Sequence, residues 1–210
     1  MQYTNDQTQA VELLQEFFDK PTQQSIFLLK GYAGSGKTTL IKQLVEKLQE
    51  QNRKSLLLAP TGRAARILGA KTQHKARTVH SGIFNFNDLR DIPLHERPND
   101  NESSFKYYFG LRQDPPEHAV FFVDEASMVS DVFSEQEHFR FGSGYLLNDL
   151  LHYTRLLTGA NRNQIVFVGD PAQLPPIGMR LSPALSASYF EEKYQLSPKE
   201  YTMREIRRQS

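Results

Sequence analysis

The chain contains no cysteine. That absence excludes disulfides and zinc–thiolate sites, and it agrees with a reducing, cytoplasmic setting. Excess charge is also missing: 25 Lys and Arg against 24 Asp and Glu leave a net +1, so any anion must be held by locally placed groups. No signal peptide is visible in the polar start MQYTNDQTQA, and the apolar runs IFLL, SLLLA, AVFFV and IVFV are too short to span a membrane. The six histidines form no ligand-spaced cluster, which argues against a structural metal. There is no internal repeat and no low-complexity tract. What remains is an ordinary globular composition, 39% hydrophobic over 210 residues, enough for one large domain with a real core.

The four apolar runs, at 26–29, 55–59, 119–123 and 165–168, are continuous rather than alternating, as in strands buried on both faces of a parallel sheet. Helical patterns lie between them. Asp6 is placed to cap a first helix with Ala10, Leu13, Leu14 and Phe17 on one face. Thr38–Gln51 carries a 3.6-residue period, Arg63–Leu68 reads as a short helix, and Tyr145–Leu157 as another. The alternation predicts an α/β, doubly wound, mostly parallel sheet with helices on both faces. Two stretches break it. Residues 84–118 are polar, proline-bearing and aromatic, with FKYYF strand-like and PNDNESS a turn, and they read as an inserted hairpin subdomain. Residues 131–144 read as a second surface insertion without chemistry, with His138 and Arg140 in solvent.

GYAGSGKT, Gly31 to Thr38, fits the phosphate-loop spacing G-x-x-x-x-G-K-S/T between a strand and a helix. Its glycines let successive N–H groups point inward at phosphate oxygens. Lys37 would charge-pair with the β and γ phosphates, Thr38 would offer a hydroxyl to Mg²⁺, and the helix N-terminus adds its dipole. AVFFVDEAS ends another strand on Asp124 and Glu125. Alternation along a strand would send the two acids in different directions, Asp124 to Mg²⁺ and Glu125 to an attacking water, which favours hydrolysis over transfer to a hydroxyl. FVGDPAQLPPIG, Phe167 to Gly178, brings Asp170 and Gln173 to the exit of a third strand. Strand exits in open α/β sheets face the ligand, so these two face ATP as well.

Taken in order, GYAGSGKTT, LLLAPTGRAAR, TVHSG, VDEASMVS and VGDPAQLPP resemble the motif series of superfamily 1B DNA helicases, nearest to the RecD/Dda-like branch, over nearly the whole chain from Gln7 to Arg208. The resemblance implies a RecA-like phosphate-loop fold, use of ATP and Mg²⁺, 5′→3′ translocation on single-stranded DNA and unwinding of fork DNA. It implies nucleotide contacts from Gln7, Gly31, Ala33, Gly34, Ser35, Gly36, Lys37, Thr38, Thr39 and Asp170, with Gln7 reading adenine. It gives catalytic roles to Lys37, Glu125, Gln173 (a γ-phosphate sensor) and Arg208, with Arg207 as the other candidate, and a metal site to Thr38 and Asp124. DNA contacts fall to Pro60, Thr61, Arg63, Thr78 and His80.

Plainer roles stand beside these: Gln7 as a surface helix residue, Thr61 as a helix cap, His80 as an inert imidazole, and the aromatics of 84–118 as a small core rather than a wedge that parts duplex DNA. The same resemblance divides the chain into a first motor domain, 1–83 with 119–210, and an inserted wedge. It leaves the second RecA-like domain to a longer parent chain. The rival functions are a phosphate-loop ATPase or kinase that does not act on DNA, and a nucleotide-binding module without catalysis.

Overall fold

The structure, a computed structural model, describes residues 4–21, 25–91, 107–136, 138–158 and 162–205. Chain order runs α1 (Asn5–Asp19), β1 (Ile26–Gly31), α2 (Lys37–Glu50), β2 (Ser55–Ala59), α3 (Gly62–Thr72), β3 (Ala76–Thr78), α4 (Val79–Ile83), β4 (Phe84–Asp91), β5 (Tyr107–Leu111), β6 (Val120–Val123), β7 (Phe139–Phe141), α5 (Leu146–Tyr153), β8 (Gln164–Gly169), α6 (Ala187–Tyr194) and β9 (Lys199–Met203). Six of the strands form one sheet in the order β3-β2-β6-β8-β1-β9, every pair parallel. This is the RecA-like, doubly wound α/β architecture expected.

The four strands read from the sequence are its centre. β6 and β8 are buried at every position, so their side chains feed two cores. One lies under α1 and α2, where Phe17, Phe27 and Phe122 meet Leu40, Ile41 and Leu44. The other lies under α4, α5 and α6, where Phe121, Phe167 and Phe190 pack with Leu147, Leu150 and Leu151. Two edge strands were not anticipated. β3 has three residues, and β9 (KEYTM) is polar and only partly buried. The first helix is capped by Thr4, not Asp6: Thr4 and Gln7 form a capping box. The Asp6 carboxylate reaches across to β9, accepting from Tyr201 and from the Arg204 and Glu205 amides, and those amide bonds hold it below the usual carboxylate range. The helix expected over Tyr145–Leu157 stops at Tyr153, where the Thr154 hydroxyl bonds back to Leu150 and Arg155 turns left-handed.

The second sheet has the order β4-β5-β7. The stretch 131–144 is therefore not a separate surface insertion, because it supplies the strand that pairs with β5. Phe141 is the centre of an aromatic cluster, with rings of Phe84, Phe86, Phe109, Phe139 and His80 all between 5.0 and 5.5 Å from its own. Arg140 is half-buried over the Tyr108 ring at 5.7 Å, where the sequence had suggested solvent; His138 is exposed. The PNDNESS turn and Phe105 lie outside the described residues. Removing Phe141 would leave five rings without their common partner. Phe141→Ala is expected to destabilise the chain by about 2 kcal/mol, less than for a fully buried Phe because this one is half-exposed. A urea melt checks it, and an unchanged midpoint would show that the small sheet holds without the cluster.

Candidate nucleotide and nucleic-acid site

All six parallel strands point their C-terminal ends the same way, which gathers Gly31, Ala59, Val123 and Gly169 at one end of the sheet. The phosphate loop leaves β1 there. Gly34 and Gly36 hold φ of 83° and 86°, open to glycine and strained for other residues, and Gly36 is the N-cap residue of α2. A side chain at Gly36 would collide with the Gln7 amide. Lys37 curls over the loop and donates to the carbonyls of Gly31 (2.6 Å) and Tyr32 (3.0 Å). Burial pulls its ammonium below the usual lysine range, against the opposing pull of Asp170, Asp124 and Glu125. Thr38 is half-buried beside it, Thr39 and Ala33 are exposed, and Ser35 is buried with a hydroxyl that has no hydrogen-bond partner.

Gln7 is buried against the loop, its Nε2 donating to the Ser35 carbonyl at 3.2 Å and its Oε1 accepting from the Thr4 amide. Both ends of the amide thus brace the loop and cap the helix, and each keeps one further hydrogen-bonding position for a base edge. Asp170 is occupied in the same way. One carboxylate oxygen accepts from the Ala33 amide at 3.0 Å, the other from Ala172 at 2.9 Å. The residue ties the exit of β8 to the phosphate loop instead of presenting a free carboxylate.

Asp124 and Glu125 diverge for a reason other than strand alternation. β6 ends at Val123, and Glu125 sits at φ 52°, ψ 39°, left-handed for a residue with a side chain. Such a conformation costs about 1–2 kcal/mol and persists only where its surroundings fix it. It aims Glu125 at Gln173, whose amide donates to Oε2 at 3.2 Å, while the other end of that amide accepts from the Ser127 hydroxyl. Ser127 is fully buried. It escaped sequence reasoning, although the S of VDEAS was the available signal. Asp124 is nearly buried, and burial is the main reason its carboxyl is pushed up to about 6; the Glu125 amide and Lys37 work against that and the Glu125 carboxylate adds to it.

The donor set fits a hard divalent cation. Thr38 and Asp124 line the same groove and offer only oxygen, and Asp124 is a carboxylate short of positive charge. Among the described residues no group of three or more His, Cys, Asp or Glu could form a cage by themselves. Mg²⁺ is a cation of this kind, which keeps several waters and takes one or two protein ligands beside phosphates.

From the carboxylates a groove of about 1090 Å³ runs outward past Gln173 to Thr61 and Arg63. Pro60 is half-buried, and Thr61 and Arg63 are exposed. Thr61 caps α3, its oxygen accepting from the Ala64 amide, which leaves the hydroxyl proton for another acceptor. Thr78 is more committed. It caps α4 through the Ser81 amide and donates its proton to the Ser81 hydroxyl. His80 packs its ring on Phe84 and Phe141, and burial holds its imidazole below the usual range. Arg207 and Arg208 lie outside the described residues. No helix among the described residues is long and apolar enough to cross a membrane.

A family model described as an AAA domain matches residues 2–136. The RecBCD enzyme subunit RecD of Buchnera aphidicola is 25% identical over 214 residues, 92% of this chain and 32% of that protein. The ATP-dependent RecD2 DNA helicase of Deinococcus radiodurans is 29% identical over 165 residues, 76% of this chain and 17% of its own length. A Bacteroides sp. Pif1 crystallised with ADP-AlF4 shares the fold at a TM-score of 0.54 and 22% identity, over 100% of this chain and 44% of that one. The chain spans about a third or less of those curated relatives. With the matched model covering most of its length, the chain belongs to the AAA domain family, and it shares its fold with Pif1.

Proposed function

We propose that this chain is the ATP-hydrolysing motor domain of a DNA helicase. Together with a second RecA-like domain in a longer protein, it would drive 5′→3′ movement along single-stranded DNA and unwinding at forks. The observation that carries the reading is the hydrogen-bonded chain Glu125–Gln173–Ser127 at the head of a groove that also holds Thr38 and Asp124 and ends at Thr61 and Arg63. Nucleotide chemistry and a backbone-gripping surface are joined there by one amide side chain.

In this reading the loop amides of Gly34 and of Gly36 to Thr38 bind the phosphates, the Ala33 amide staying with Asp170, and Lys37 exchanges the Gly31 and Tyr32 carbonyls for phosphate oxygens. Thr38 and Asp124 hold Mg²⁺, which when bound neutralises phosphate charge. Glu125 accepts the proton of the attacking water. Gln173 is bonded to Glu125 on one side and Ser127 on the other. A γ-phosphate that takes the second proton of its amide nitrogen would pull on these bonds and on the Leu174–Gly178 loop that follows. Leu174 and Ile177 are 86% and 99% exposed, so that loop moves without repacking a core. Thr61 and Arg63 grip phosphates without reading bases, with Thr78 and His80 further along the path. The role of contacting the γ-phosphate is kept for Arg208, which lies outside the described residues. The β4-β5-β7 sheet would act as the wedge.

ATP turnover of the full-length protein with and without a single-stranded oligonucleotide tests the reading. Stimulation of roughly tenfold or more is expected, a usual size for coupling between two sites. A rate indifferent to DNA would leave a phosphate-loop ATPase that does not act on DNA.

A further inference from the structure

At the other end of the sheet, where the parallel strands begin, lies a second groove of about 570 Å³ on the β2–β3 side. Four cations line it, Arg53, Lys54, Arg77 and Arg112, against one acid, Asp114. In a chain of net +1 this is a local concentration of one sign. Arg53 is structural, since its guanidinium donates to the Phe18 and His118 carbonyls and to the Gln164 side chain. Among the described residues Arg112 gives only its Nε, to the Phe84 carbonyl. Lys54 and Arg77 are exposed and make no side-chain hydrogen bond, and none of Lys54, Arg77 and Arg112 forms an ion pair with a described residue. Lys54, Arg77 and Arg112 line the groove together with Asp114 and Tyr153. Unpaired like charges gathered in one groove raise the energy of the free protein and attract an anion.

We propose that this groove binds the phosphodiester backbone of a nucleic acid, as a second contact surface separate from the one that begins at Thr61. The inference rests on the proposed action on DNA. The cations come from three segments, the approach to β2, the edge strand β3 and the exit of β5, so they are spread along an open channel and suit a polymer. Beside the structural Arg53, two of them, Arg77 and Arg112, are arginines, whose planar forks match phosphate oxygens in pairs. Arg77 is the residue before Thr78 on the same edge strand, so a strand leaving the Thr78 contact reaches this groove by turning round the β3 edge. The groove also adds the apolar surface of Leu56 and the Tyr153 ring.

The test is fluorescence anisotropy of a labelled oligonucleotide, single-stranded and then duplex, titrated with the wild-type chain and with the double variant Lys54→Glu/Arg77→Glu from about 50 to 200 mM salt. Both positions are exposed, so the variant should melt with the wild type; if it does not, Lys54→Gln/Arg77→Gln replaces it. Binding is expected to weaken on the order of tenfold at the lower salt, and the slope of log K against log salt to fall by about 1.4 to 1.8, the loss of two phosphate contacts. ATP turnover without DNA should stay unchanged. A wild-type affinity and slope in the variant overturns this inference alone. So does poly-glutamate binding that the variant loses while its DNA binding persists, which would reassign the groove to an acidic protein. Failure of the wild type to bind any nucleic acid overturns the inference and the DNA reading beneath it together.

Discussion

Glu125→Gln is expected to cut ATP turnover by a factor of about 10² to 10⁴, the usual contribution of a positioned general base, while nucleotide binding survives. The backbone at residue 125 is left-handed whichever side chain it carries, and Gln keeps the length of Glu and an oxygen for the Gln173 amide. Only the ability to take a proton is lost. The sign of the binding effect follows from the neighbours. The Glu125 carboxylate is one of the groups that push Asp124 upward. Neutralising it eases Asp124 toward the ionised form that holds a cation, so Mg²⁺-nucleotide should bind as tightly as before or tighter. Single-turnover phosphate release, with a fluorescent-nucleotide titration beside it, separates the two quantities. Turnover within a few-fold of the wild type would remove Glu125 from the chemistry. Loss of binding and turnover together would make it a binding residue.

The parts legible in the sequence were those whose physics is local. A phosphate loop is a run of backbone conformations, and Gly34 and Gly36 announce them. β1, β2, β6 and β8 are covered on both faces, so they appear as unbroken apolar runs. β9 is an edge strand held by Asp6 from the far end of the chain, and nothing within KEYTM records that partner. β7 was hidden for the same reason, because FRF becomes a strand by pairing with Tyr107–Phe109, about thirty residues earlier. In the site, residue types were legible and engagements were not. Asp170 was found, but its two backbone partners depend on where the Ala33 amide falls in space. Asp124 and Glu125 were separated on the argument of strand alternation, whereas a left-handed residue after the strand does the separating. Ser127 looked like any small residue in a turn until Gln173 was brought to it.

Asp124→Asn should make the nucleotide-free chain more stable at neutral pH while disabling the site. In the unfolded chain the carboxyl titrates near 3.8; in the fold, burial raises it to about 6. Between those values the unfolded chain has released its proton and the folded one still holds it, so stability falls as pH rises from about 4 to about 6 and the cost is complete above that. The gap corresponds to about 3 kcal/mol at neutral pH. Asn is neutral throughout and escapes it. At pH 7.5 the variant should therefore melt roughly 5 °C or more above the wild type, given about 2–4 °C per kcal/mol for a chain of this size. Below pH 4 the advantage should vanish, because Asp124 is then protonated in both states. Added Mg²⁺ and nucleotide should reverse the order. They raise the melting point of the wild type through binding to the folded state alone, whereas the variant has lost the carboxylate that answers the cation. Equal melting curves at pH 7.5 would mean that Asp124 is solvated enough to ionise freely. A variant as strongly stabilised by Mg²⁺-nucleotide as the wild type would place the cation elsewhere. The two outcomes expected instead describe a residue kept against the interest of the fold because the ligand needs its charge.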